Sequence, residues 1–129
     1  MGRSVNNIFL VGIGGFIGSI LRYLISGYIH QSNKDFPYGT LVVNVLGCFV
    51  IGFLSHLAEA RGMFQESTRN FMFIGILGGF TTFSSFGNET MRLARDSQLT
   101  TAFANVGANV FLGLAAVWLG RALATVFWR

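Results

Sequence analysis

The sequence predicts an all-α membrane protein: four transmembrane helices, the third broken midway, assembled as an antiparallel dual-topology homodimer. Composition comes first: of 129 residues, 52% are hydrophobic and 11% charged, and the mean hydropathy is +0.57. Such values belong to integral membrane proteins rather than soluble domains. The apolar runs are also long and unalternating, which favours helices over the segments of a β-barrel. Finally, at about 20 residues per span, four helices consume most of the chain, so residues 1–129 read as one transmembrane domain. Cys48 is the single cysteine, which excludes an intrachain disulfide.

The first span covers roughly 5–29. Arg3 before an apolar run resembles a signal peptide, but no small-residue cleavage site leads into a soluble domain and further spans follow, so the helix is read as retained. Glycines 12, 14, 15 and 18 miss the dinucleotide-binding spacing. Gly14 and Gly18 instead form a small-xxx-small pair suited to close helix approach. Arg22 lies inside the apolar run. It either snorkels to the interface or lines a wet vestibule that draws anions inward.

The second span, roughly 38–58, starts after Pro37, a natural helix boundary. Thr40, Asn44, Gly47, Ile51 and Ser55 recur at steps of three or four and share one face. An amide in hydrocarbon is costly, so Asn44 needs a partner: a neighbouring helix, the broken third span or a passing anion. His56 and Glu59 lack a companion at metal-ligand spacing.

The third span, roughly 70–92, carries the stretch FMFIGILGGFTTFSSFGNE over 71–89. Gly78 and Gly79 lower the cost of leaving helical geometry, and Thr81, Thr82, Ser84, Ser85 and Thr90 supply hydroxyls for backbone groups a break sets free. Irregular backbone at membrane depth survives only inside protein or beside a water-filled cavity. This segment therefore points to a passage for something small and polar, a kinked packing helix being the alternative. Phe80, Phe83 and Phe86 are read from the residues alone as core or lipid-facing bulk. Glu89 sits either at the interface or at one end of a polar path.

The fourth span, roughly 100–127, places Asn105 and Asn109 one turn apart, with Gly113 a turn beyond. Their expected partner is the hydroxyl row at 81–85. Trp118, Trp128 and Arg129 fit an interfacial belt.

With four spans, Arg3, Arg61, Arg69, Arg121 and Arg129 fall on one side, and Arg22, Lys34, Arg92 and Arg95 on the other. Five cations against four give the positive-inside rule almost nothing to act on, so both orientations can insert. Four short helices are also few for a pore. An antiparallel homodimer answers both points, and it lets the two breaks meet, where freed carbonyls can hold a cation.

Four motifs then resemble one family, the Fluc fluoride channels or CrcB-like proteins, over essentially the whole chain. They are GGFIGSILRY, YGTLVVNVLG, GGFTTFSSF and the fourth-span polar face ending in GLAAVWLG. The resemblance implies a dual-topology dimer with two antiparallel fluoride pathways and a central structural sodium ion in a bacterial inner membrane. It implies that Gly78 and Thr81 give main-chain carbonyls to sodium and that Phe83 and Phe86 line the pores. Asn44 lies beside them, Ser84 or Ser85 with the fourth-span polar residues extend the track, and Glu89 and Arg22 match the family's acidic residue and first-span arginine. Asn105, Asn109 and Gly113 depart from the Tyr, Ser and Ser of many members.

Passive fluoride conduction is therefore the expected activity. The main rival is a small dual-topology proton-coupled exporter of the four-helix multidrug type, which places a carboxylate in the middle of an early span. Here the carboxylates lie at or near connections, or late in the third span. No nucleophile–base pair appears, which argues against an enzyme.

Overall fold

The structure, a computed structural model, describes residues 4–32 and 35–128. Arg3, Lys34 and Arg129, counted above in the charge tally, lie outside the described residues. Helix α1 runs Val5–Ser32 and α2 Tyr38–Arg61, starting directly after Pro37. Gly62 closes α2 in the left-handed region at φ 58°, with its N–H on the Ala58 carbonyl at 3.1 Å.

The third span is several pieces. Helix α3, Glu66–Arg69, runs into wide π-turns over Asn70–Leu77 and a last turn, α4, Gly78–Phe80. Thr81 and Thr82 are extended, with φ −122° and ψ 113° and 107°, and α5 resumes over Phe83–Arg95. The fourth span is continuous: α6 Leu99–Gly107, π-turns Ala108–Leu112, and α7 Gly113–Phe127. Among the described residues, only α1, α2 and Leu99–Phe127 are unbroken helices long and apolar enough to cross a membrane.

The break is thus real but displaced from where the glycines place it. Gly78 is helical, at φ −63° and ψ −37°, and the chain leaves the helix three residues later. Gly79 serves packing instead, as Gly14 and Gly75 do, while Gly78 is exposed with room beside it. A methyl group on Gly14 of α1 would sit 2.9 Å from the Gly75 Cα, and one on Gly79 would sit 2.6 Å from the Gly15 carbonyl oxygen. Backbone meets backbone there, as the small-residue pattern in α1 requires.

Helix α2 is the centre of the fold. It packs along α7 and also against α1, while α1 covers residues 70–80 and α5 lies on α6. Val43 of α2 and Ala124 of α7 are fully buried. At one end, Arg121 of α7 donates to Glu59 of α2 at 2.7 Å. Because α2 touches both halves of the molecule, its polar face can reach the break from one side and the fourth span from the other.

Candidate functional site

Asn44 on α2 holds the break open. The Thr82 N–H donates to Asn44 Oδ1 at 2.9 Å, and the Ser85 N–H donates to Thr82 Oγ1 at 3.2 Å, an N-cap for α5. In an unbroken α-helix these two N–H groups would bond the carbonyls of Gly78 and Thr81, four residues back. Side chains have taken both donors, so those carbonyls lose their helical partners. Upstream, the Thr81 hydroxyl donates to the Leu77 carbonyl at 2.9 Å. The Thr82 hydroxyl donates to Ser85 Oγ at 3.0 Å and lies 3.3 Å from Ser84 Oγ.

Two cavities flank the break, each of about 290 Å³. The first is lined by Asn44, Cys48, Thr82, Phe83, Phe86 and Asn109, among others. The Phe83 and Phe86 rings stand 5.4 Å apart at 58°, and Phe83 is 83% exposed, so it walls the cavity at the protein surface. The second is more polar and includes Arg22, Ser26, Thr40, Thr82, Ser85 and Glu89. Thr40 donates to Glu89 Oε1 at 2.7 Å. Arg22 Nε and Glu89 Oε2 are both buried without a hydrogen-bond partner. Thr82 belongs to both cavities.

The fourth-span amides turn elsewhere than expected. Their partners are not the hydroxyls at 81–85. Asn109 accepts from Asn44 Nδ2 at 3.2 Å and donates to the Asn105 main-chain and side-chain oxygens at 2.9 and 3.0 Å. Asn105 Nδ2 donates to Thr90 Oγ1 at 2.9 Å, and Thr90 donates to the Phe86 carbonyl at 2.8 Å. Asn105 is 1% exposed and borders neither cavity. Gly113 borders neither cavity, and a methyl group there would meet Cys48 Sγ at an ordinary contact distance of 3.4 Å.

The structure thus brings Asn44, Phe83, Phe86 and Asn109 to one cavity and Arg22, Ser85 and Glu89 to the other, with Ser84 exposed beside Thr82. Sequence reasoning did not single out Thr40, Thr82 and Thr90 as site residues. Thr40 carries a legible signal, since it sits one turn before Asn44 on the same face. Thr82 has none, because any of four neighbouring hydroxyls serves equally as a cap on paper.

Among the described residues, no group of three or more His, Cys, Asp or Glu side chains is placed to hold a metal. His56 Nε2 lies 3.4 Å from the Thr125 hydroxyl. Gly78 and Thr81 are both exposed, and their carbonyls are hard donors suited to a hard cation.

Residues 9–121 match the family described as CrcB-like protein, Camphor Resistance (CrcB). The chain belongs to the CrcB-like family. Among its relatives is the fluoride-specific ion channel FluC 3 of Methanosarcina barkeri, 48% identical over 117 residues, covering 91% of this chain and 89% of that one. The fluoride-specific ion channel FluC 1 of Methanosarcina acetivorans is 47% identical over 114 residues, covering 88% and 87%. The fluoride-specific ion channel FluC of Parabacteroides distasonis is 50% identical over 114 residues, covering 88% of each chain. The CrcB-like family is one of ion channels, not enzymes. Membership, together with three apolar helices long enough to cross a bilayer, makes this a multi-pass membrane protein.

Proposed function

We propose that this CrcB-like chain is a passive, fluoride-selective channel that lets fluoride leave the cytoplasm through two antiparallel routes in a homodimer. The observation that carries this reading is the side-chain-held break at Thr81–Thr82, with a cavity of Phe83, Phe86 and Asn44 on one side and one of Arg22, Ser85 and Glu89 on the other. A small hydrated anion must exchange water for donors, and the amide and hydroxyls at Asn44, Thr82, Ser84 and Ser85 are donors. The positive edges of Phe83 and Phe86 tolerate an anion that their faces would repel. Asn105 and Asn109 back this wall from the fourth span. Arg22 gathers anions into the polar cavity, where Glu89 and Thr40 mark the end of the track.

Exposure at the break supports the dimer. Gly78, Thr81 and Ser84 are surface residues of one copy, at and beside the break. Broken backbone at membrane depth needs protein or a water-filled cavity over it, and a second copy laid across the break supplies the protein. Meeting in inverted orientation, two breaks would offer the Gly78 and Thr81 carbonyls of both copies to a sodium ion. When bound, such an ion supplies fixed positive charge and cross-links the copies without entering the transport step. A bacterial inner membrane is the setting that the resemblance implies.

Reconstituted liposomes loaded with fluoride test the proposal. Passive fluoride efflux with no chloride efflux and no need for a proton gradient is the expected result, and Phe83→Ile or Phe86→Ile sharply reduces it while the dimer persists. Efflux that depends on a proton gradient, or that carries chloride equally, overturns the reading.

A further inference from the structure

We infer that Asn109 is a positioning residue: opposite the Thr82 N–H, it holds the Asn44 amide in one direction, so that within this string of amides only Asn44 keeps a loosely held N–H facing the Phe83–Phe86 cavity. The inference rests on the channel reading above and adds to it a division of labour among the three amides. The argument is one of donor and acceptor order. A main-chain N–H can only donate, so the Asn44 atom at 2.9 Å from the Thr82 nitrogen is its oxygen. The Asn44 NH₂ must then face Asn109, whose oxygen accepts at 3.2 Å. That turns the Asn109 NH₂ toward Asn105, where two oxygens receive it at 2.9 and 3.0 Å.

The far end imposes the same direction independently. The Phe86 carbonyl can only accept, so Thr90 donates to it and uses its oxygen to accept from Asn105. Six groups therefore form one string with a single sense, beginning and ending on the segment that carries Phe83 and Phe86. A donor at both ends would have left one link unsatisfied. The accounting of hydrogens then separates the amides. Both Asn105 oxygens engage the Asn109 NH₂, and Asn105 is 1% exposed. Asn44 gives one hydrogen to Asn109, while its other contact, to the Thr82 carbonyl, is 3.5 Å, at the outer limit of a hydrogen bond. Asn44 also lines the cavity itself. Asn105 also has an N–H beyond its bond to Thr90, but it borders neither cavity, so Asn44 is the one cavity-lining amide of the string with a loosely held donor, and Asn109 holds its NH₂ in place.

The test is a double-variant cycle with a structural readout beside it. Asn109→Leu removes the acceptor without changing charge. Fluoride flux should fall about tenfold, the scale of one hydrogen bond to a charged group. In an Asn44→Ser background the same change should cost less than about twofold, because the group it positions is gone. Losses that multiply would show that Asn109 meets the anion on its own account and would overturn the proposal. The second readout needs no conduction: side-chain amide NMR signals of protein labelled with ¹⁵N-asparagine, with Asn44 assigned from Asn44→Ser. In the unsubstituted chain the two Asn44 hydrogens should be distinct, the one on Asn109 being the slower to exchange. In Asn109→Leu, or in Asn109→Ala should the larger variant not assemble, they should broaden or exchange faster. Unchanged Asn44 signals would sink the positioning role. If the unsubstituted chain conducts no fluoride, the channel reading fails, while the amide signals still decide the relay.

Discussion

At the scale of single residues, Asn44 does two things with one side chain. Its oxygen captures the Thr82 N–H and keeps the third span open, and its NH₂ faces the fourth span and the cavity. The two roles can be separated. Asn44→Ala leaves the Thr82 N–H without its acceptor and should lower stability by about 1–3 kcal/mol, read as a drop in Tm in detergent. Asn44→Asp retains the acceptor and so should hold Tm closer to the parent, yet a carboxylate beside the anion route should abolish fluoride efflux. Equal loss of Tm in the two variants would show that the acceptor is not what matters. Thr82→Ala removes the α5 cap and should cost about 1 kcal/mol, with Thr82→Ser restoring it.

At the scale of elements, the third span is shaped by what lies against it. Its first half is wound in π-turns and pressed onto the glycine face of α1, and its second half is a polar helix lying on α6. The Gly14–Gly75 approach leaves no room for a side chain. Gly14→Val should therefore cost about 3 kcal/mol through forced separation of α1 from the span, seen as loss of the monodisperse peak on size exclusion. A stable, active Gly14→Val protein would mean that α1 does not pack this closely. Glu59 and Arg121 tie α2 to α7 at one end. Both are exposed there, so the pair serves alignment more than stability.

At the scale of the whole molecule, one copy leaves its break uncovered. Thr81 and Ser84 lie exposed at and beside it. The proposed inverted partner covers them and brings two breaks together. Cys48 is the only cysteine, so a Cys48→Ser, Thr81→Cys chain carries one thiol. In membranes, a short bifunctional thiol reagent should link such chains into dimers visible on a denaturing gel. Absence of that product, with the thiol shown to be reactive, would argue against breaks that face each other. Replacing sodium by a large organic cation should lower the Tm of the dimer if main-chain carbonyls hold sodium, and should leave it unchanged if they do not.

Helical class, the apolar spans and family membership were legible because bilayer length, hydropathy and short motifs are local properties of the chain. The need for partners was legible too, since an amide or hydroxyl in hydrocarbon must be satisfied wherever it sits. Which partner each one takes was not. Gly78 and Gly79 point to a break because glycine permits irregular backbone, yet glycine also permits contact, and at Gly79 the approach of α1 selects contact. Thr82 became the broken residue because Asn44, thirty-eight positions away, arrives opposite its N–H. Asn105 and Asn109 turned from the hydroxyl row to Asn44 and Thr90 for the same reason: hydrogen bonds are short and directional, and only the packing of α2 between the two halves sets which groups come within reach.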